Sequence, residues 1–216
     1  MLTNMEWGAV AYLTNSNYGR CSNGTCTEVT INNCNTFTTG IGADTVSASK
    51  SSTTCTTEAN KYNGEKGVYA STTGNVYGVY DMSAGTGEYV MGNMSSAADI
   101  YTFYPRDSGF ASSWYTSNQK YVNTYAIISS SSDSKTQKAY NAGRLGDATG
   151  EVVLYDGGDG WYSDIASFPS DNVPWFLRGG HYYNVSGAGV FYFNFCSGEG
   201  SDSYGSARAA LVWFVF

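Results

Sequence analysis

Apolar residues fall into a few separate patterns along the chain. In 4–14, Met5, Val10 and Leu13 join Trp7 and Tyr12 on a mostly apolar helical face, and Asn4 can cap the first turn; this predicts one good helix. From 16 to 63 large apolar residues are sparse, which predicts a loop with few regular elements. Short aromatic and β-branched runs bounded by Gly and Ser then predict strands over 67–69, 76–80, 88–91, 100–104 and 151–155. Residues 112–128 and 135–142 have room for short helices, and 129–134 reads as a solvated serine loop. Near the C-terminus, Pro174-Trp175-Phe176-Leu177 opens a strand that Arg178-Gly179-Gly180 closes, and 187–191 starts another. Residues 209–216 form a continuous apolar last strand. Such a strand must be buried on both faces, which predicts a C-terminus inside the domain. Between these pieces, HYYNVS, YFNFCS and SDSYGS mix Tyr, Asn, Ser and Phe with no hydrophobic period.

Composition narrows the class. A chain of 216 residues suits one domain, and 42% apolar with 16% aromatic content can offset the ordering entropy, which excludes disorder. Helix formers are scarce beside Gly, Ser, Thr and Asn, which argues against a helical bundle and for short elements joined by loops. The formal charge is 11 − 18 = −7, so most of the surface repels nucleic acid. No run of 18 apolar residues appears, and MLTNMEWGAVAYL lacks the basic head and cleavage site of a signal peptide. The expectation is a chain that begins inside a larger precursor, with any anchor or export segment upstream of it.

Four of the five cysteines, Cys21, Cys26, Cys34 and Cys55, crowd into the Ser/Thr/Asn-rich stretch, where crosslinks would supply the restraint that a core does not. Two disulfides are expected, most simply Cys21–Cys26 and Cys34–Cys55, although four cysteines allow three connectivities. Zinc is the rival reading, but the spacings are loose and the one histidine, His181, is distant. Two disulfides imply an oxidising, extracellular setting. Cys196 is then the odd one.

Three landmarks in order carry a resemblance: TNMEWGAVAY, then GNVYGVYDMSAGTGEYV, then LRGG followed some thirty residues later by an Arg and an apolar terminal strand. Together they resemble the formylglycine-generating-enzyme branch of the C-type lectin fold, which implies an α+β domain with few short helices and strands and much irregular loop. One domain would span 1–216, with 16–63 a disulfide-held loop insertion and 175–216 a C-terminal cassette and terminal strand. The sequence departs from the family at Thr86-Gly87, where an aromatic is usual. Asp81 and Glu88 read as structural acceptors for backbone amides or for Arg178 and Arg208, rather than as a catalytic pair.

The enzymes of this branch carry two neighbouring C-terminal cysteines that bind copper and react with a substrate thiol. This chain has only Cys196 there, and one thiolate does not complete a soft two-sulfur site, so the expectation is no enzyme and no cofactor. His181 lacks an orienting carboxylate and a nucleophile elbow for hydrolysis. The sugar-gripping motifs of calcium-dependent lectins are absent, and Asp156-Gly157-Gly158-Asp159-Gly160 reads as a turn rather than a calcium site.

The last segment resembles the cassette of variable proteins from diversity-generating retroelements: RGG-HYYNVSG-AGVF-YFNFCSGEGSDSYGS-AR-AALV. In that family, mutagenesis at adenines turns Asn-type codons into Tyr, Ser, His, Asp, Gly, Phe, Val and Cys, the residue types that fill these gaps. The resemblance implies a binding face of His181, Tyr183, Asn184, Val185, Ser186, Tyr192, Asn194, Phe195, Cys196, Ser197, Ser201, Asp202, Ser203 and Tyr204. Cys196 becomes one sampled outcome, and Glu199 is left out of the set. Ala188, Val190, Phe191 and the terminal strand are expected to be scaffold, and alternation turns Tyr182 and Phe193 inward. Tyr, Ser, Asn and Gly are also what antibody paratopes use, so the expected partner is a protein on another cell or a phage host. The resemblance implies a domain carried on an N-terminal pilin-like or membrane segment or on a phage tail, and the paired cysteines favour a bacterial cell surface, with a phage virion as the alternative. Two rival functions stand beside this: a copper-oxidase relative, and an unvarying pilin or surface-layer subunit.

Overall fold

A computed structural model of the chain describes residues 1–34, 39–43, 58–95, 108–111, 113–114, 118–126, 133–154, 157–198 and 204–210. The fold is mixed α+β, with short helices, one main sheet and much loop. Helix α1 spans Asn4–Thr14, as its pattern predicts, but its cap is Thr3. The Thr3 hydroxyl accepts from Glu6 N–H, while the Glu6 carboxylate accepts from Thr3 N–H at 2.7 Å, a reciprocal capping box. Asn4 is instead buried and donates to the Tyr125 hydroxyl at 2.8 Å. The buried stripe of α1 is Asn4, Trp7, Gly8, Ala11 and Thr14, and Leu13 faces solvent.

The hairpin β1 (Cys21–Ser22) and β2 (Thr25–Cys26) turns through Asn23-Gly24, both at positive φ, and the Cys21–Cys26 disulfide joins its paired ends. Cys55 lies outside the described residues, and the expected Cys34–Cys55 pairing with it; Cys34 itself is buried. The rest of this stretch is more than loop held by crosslinks. Val29, Ile31, Asn32 and Asn33 are buried, with Val29 in the main core and Ile31 packed with Ala43, Ala84 and Ala188. Tertiary contact overrides a local composition that has little apolar character.

The main sheet is built on β3 (Gly87–Ser95), longer than the run over 88–91 that the sequence suggests. Along one edge, β3 pairs in parallel with β4 (Asn123–Ala126) and with β7 (Gly205–Ala207); along the other it pairs antiparallel with β5 (Trp175–Arg178). Strand β6 (Phe193–Cys196) closes the order antiparallel to β5. The inner face carries Val90, Met94, Tyr125, Phe176 and Phe193 against Trp7 and Ala11 of α1, with Phe168 among them. A smaller cluster of Met91, Val122 and Trp175 forms beneath Phe110 and Trp114. The short helix α2 (Gln137–Tyr140) falls where one was expected.

Several runs that read as strands fold otherwise. Residues Gly67–Ala70 and Gly150–Val152 are 3-10 turns, and 76–80 is turn and irregular chain with Tyr77 fully in water. Residues 187–191 make a turn, so the strand begins only at Phe193. Ala209 and Ala210 are exposed and extra-strand; 100–104 and 211–216 lie outside the described residues. Among the described residues, no helix is long and apolar enough to cross a membrane.

Candidate functional site

The C-terminal segment contains two kinds of residue. In Arg178-Gly179-Gly180 and 188–191, side chains and glycines are fixed by distant parts of the chain. Arg178 is fully buried, donates to Asn4 Oδ1 at 3.3 Å and to Ala148 O at 3.0 Å, and lies over the rings of Trp7 and Phe193. Burial lowers its pKa to about 10, against the opposing pull of Asp147, Tyr125, Glu151 and Asp164. Gly179 and Gly180 both have positive φ, and a Cβ on Gly180 would stand 2.9 Å from that of Ala188.

Each residue of Ala188-Gly189-Val190-Phe191 has its own reason to be there. Ala188 packs on Ile31 and Ala84; the Val190 side chain is buried in the main core, and its carbonyl accepts from Trp7 Nε1 at 2.8 Å. A Cβ on Gly189 would overlap the Asp164 carboxyl group. Phe191 packs its ring against Tyr12, Trp161 and Tyr162, and its N–H donates to Asp164 Oδ2 at 2.9 Å. Burial pushes the Asp164 carboxyl well above its usual range, and Glu28 adds to the push.

The intervening residues hang mainly from backbone. Tyr182 N–H donates to Gly85 O at 3.0 Å, Gly87 N–H donates to Tyr204 O at 2.7 Å, and Ala188 N–H donates to Val185 O at 3.2 Å. Two side chains brace the turn internally: His181 N–H donates to Asn184 Oδ1 at 2.8 Å, and Tyr183 N–H donates to His181 Nδ1 at 3.3 Å. At Thr86-Gly87, the Thr86 hydroxyl donates to Ser206 Oγ at 2.7 Å, and Gly87 leaves room for Leu177.

This suspension gathers four rings. Tyr182 lies 4.5 Å from Tyr183 and 5.8 Å from Tyr204 between centroids; His181 lies 5.0 Å from Tyr204. Tyr183 and Tyr204 stand 5.8 Å apart at 80° and are 43% and 38% exposed, over a buried Tyr182. His181, Tyr183 and Tyr204 of the expected face are thus brought together, beside an exposed Ser186 and half-buried Asn184 and Val185. Tyr182 belongs to the cluster as its floor. Its placement follows from a 3-10 turn over Tyr182–Gly187 and not from strand alternation, so periodicity could not expose its role.

The second half of the expected face is divided. Tyr192 is interior, with Tyr192 N–H donating to Gly189 O at 3.0 Å, and its hydroxyl accepts from Asn194 Nδ2 at 3.0 Å. It therefore offers no ring to a partner. In β6 the pleat separates neighbours: Phe193 and Phe195 sit opposite Arg178 and Phe176, whereas Asn194 and Cys196 sit opposite Leu177 and Trp175. Phe195 thus shares the core-side register of Phe176, although it is half-buried. Cys196 Sγ lies 2.8 Å from the Tyr89 hydroxyl and is in no disulfide. Ser197 is half-buried; Ser201, Asp202 and Ser203 lie outside the described residues.

The two acidic residues of the middle landmark act as acceptors. Asp81 accepts from Asn32 Nδ2 at 2.9 Å and from Gly40 N–H, and Glu88 is paired with Arg208, whose Nε donates at 2.9 Å. The Arg178 side chain donates to Asn4 and Ala148 instead. A cleft of about 540 Å³ is lined by Met91, Phe110 and Trp114 and by Thr3 and Glu6 at the N-terminal end of α1; among the described residues, none of the expected binding-face positions lines it. Among the described residues no three His, Cys, Asp or Glu side chains converge as a metal site requires. Compared with protein-family models, with characterised proteins and with solved structures, the chain matches none.

Proposed function

We propose that this chain is a ligand-binding variable protein of a diversity-generating retroelement, built on a C-type lectin fold of the formylglycine-generating-enzyme branch. One observation carries the reading: the fixed pieces of the cassette are held by side chains and obligatory glycines, whereas the turn between them and the start of β7 are hung chiefly from main-chain groups. Main-chain hydrogen bonds are indifferent to side-chain identity, so, apart from His181 and Asn184, which brace it, such a turn can change its residues without losing its position. The exposed Tyr183 and Tyr204 rings and the Ser186 hydroxyl give it the stiff aromatic and adaptable polar groups of a paratope. Its partner in this reading is a protein on another cell. The domain acts without a cofactor, as a receptor or adhesin and not an enzyme. The Cys21–Cys26 disulfide supports display on a bacterial surface, in an oxidising setting.

The DNA around the gene tests this. The expected result is a nearby near-copy of the stretch encoding residues 178–208, differing at adenines and accompanied by a reverse transcriptase gene. An isolated gene with neither overturns the diversification reading.

A further inference from the structure

We infer that a shallow groove beside helix α1 docks an uncharged, proline-rich stretch of a polypeptide partner. The groove encloses about 240 Å³ between the second half of α1 and the loop 72–79, and among the described residues none of the expected binding-face positions lines it. Val10, Leu13 and Val79 give it apolar walls. Tyr18 and Tyr77 line it too, yet they are 87% and 91% exposed, and Leu13 is 57% exposed. Apolar side chains scattered singly over a surface are ordinary; several sharing one concavity mark a contact surface. The loop is held in shape by its own bonds. Thr72 N–H donates to Val79 O at 3.0 Å, Val79 N–H to Thr72 Oγ1 at 2.9 Å, and Tyr77 N–H to Asn75 Oδ1 at 2.9 Å. A partner therefore meets a groove whose backbone is already ordered, which lowers the entropy lost on binding.

The lining chooses among the ways in which a protein holds a peptide. Among the described residues it contains no Asp, Glu, Lys or Arg, so it selects neither a charged nor a phosphorylated side chain. Strand addition requires an open sheet edge, whereas the main chain of this loop bonds across itself between Thr72 and Val79. An amphipathic helix sets its anchors over two turns, about 10 Å, and needs a larger apolar trough than this one. A polyproline II segment suits what remains. It is ordered before it binds, its prolines bring no N–H groups that require acceptors, and its pyrrolidine rings pack on exposed tyrosine rings.

Titration of the nitrogen-15-labelled chain with a blocked decaproline peptide, followed by amide NMR spectra, tests the inference against a blocked Gly-Ser peptide of the same length. Decaproline is expected to shift the amide signals of Leu13, Tyr18 and residues 72–79, and the Gly-Ser peptide to leave them in place. Tyr18→Ala and Tyr77→Ala should each weaken decaproline binding by about tenfold, whereas Tyr77→Phe keeps it within about threefold. Both tyrosines stand almost wholly in water, so these variants keep the fold. Leu145→Ala removes an equally exposed apolar side chain that does not line the groove and should change nothing. Three outcomes overturn the inference: an equal response to the Gly-Ser peptide, no shift at millimolar decaproline, or shifts confined to other parts of the chain. A fourth does so as well: groove signals that move when the protein alone is diluted, and cease to do so in Tyr77→Ala, make a second copy the occupant.

Discussion

Two neighbouring stretches of the C-terminal segment are held in place by opposite means. Arg178, Gly189 and Phe191 depend on Asn4, Ala148 and Asp164, which come from three distant places in the chain. The turn Tyr182–Gly187 and the start of β7 are suspended from Gly85 and Gly87 by main-chain bonds, and their rings touch one another. A side chain that is itself the fastening cannot be exchanged. One that merely rides on a fastened backbone can. Conformational rigidity and freedom of sequence are therefore compatible in adjacent residues, which is the physical requirement of a binding face that varies.

The largest test of that contrast adds one methyl group to each stretch. Gly189→Ala drives a Cβ into the buried Asp164 carboxyl group, which must move and release Phe191 N–H. The expected loss is about 3 kcal/mol in urea denaturation. Ser186→Thr makes the same addition at an exposed position of the turn and should stay within about 0.5 kcal/mol. Similar losses at both positions would erase the distinction between fastening and passenger.

Why the sequence shows the first stretch better than the second follows from the same contrast. Helix α1 and strand β5 are legible because their patterns are local, and even the cap was: Thr3-Asn4-Met5-Glu6 is a T-x-x-E box, which outweighs the bare preference for Asn at Asn4. Strand β3 was legible only over its first half. Gly92 and Asn93 look like breakers, yet a Cβ at Gly92 would press on Asn4 and Phe176, and Asn93 is buried. The run 76–80 has the residues of a strand but no partner strand among the described residues. Val29 and Ile31 show the converse, since a short apolar run in a polar stretch becomes core only when distant residues reach it, the main core around Val29 and Ala84 and Ala188 around Ile31. At the site, a period of two does not describe residues that form a 3-10 turn, and it is the tertiary bonds to Gly85 and Gly87 that bring Tyr182, Tyr183 and Tyr204 together.

A pH titration separates the two stretches by a smaller amount. Glu28 leads into the buried Val29–Ile31 run, and burial raises its pKa to about 7 from 4.5, with Arg20 opposing. Between those values the folded state holds a proton that the unfolded chain has lost, so stability falls as pH rises from about 4.5 to about 7. Burial of Asp164 and Asp147 acts in the same direction. Glu28→Gln should remove part of this fall, about 1 kcal/mol once solvent screening of a partly exposed group is allowed for. Urea midpoints at pH 5 and pH 8 measure it; an unchanged slope in the variant would assign the effect to the other carboxyls.

The sharpest contrast is one of sign. Val185, inside the turn, has φ 55° and ψ −132°, a region that suits glycine and strains a β-branched residue. Packing does not require valine there: it is half-buried, and its anchor is the carbonyl that accepts from Ala188 N–H. Val185→Gly relieves the strain and adds some unfolded-state entropy, for a net stabilisation of about 1 kcal/mol. A gain is expected at Val185 where every change in Ala188-Gly189-Val190-Phe191 is expected to lose. In the proposed diversification reading, a residue kept against the preference of its own backbone is an outcome that sampling for binding leaves behind and that selection for stability would remove. If Val185→Gly instead unfolds the protein at lower urea, the valine is a fastening after all, and the boundary between scaffold and binding face moves to exclude it.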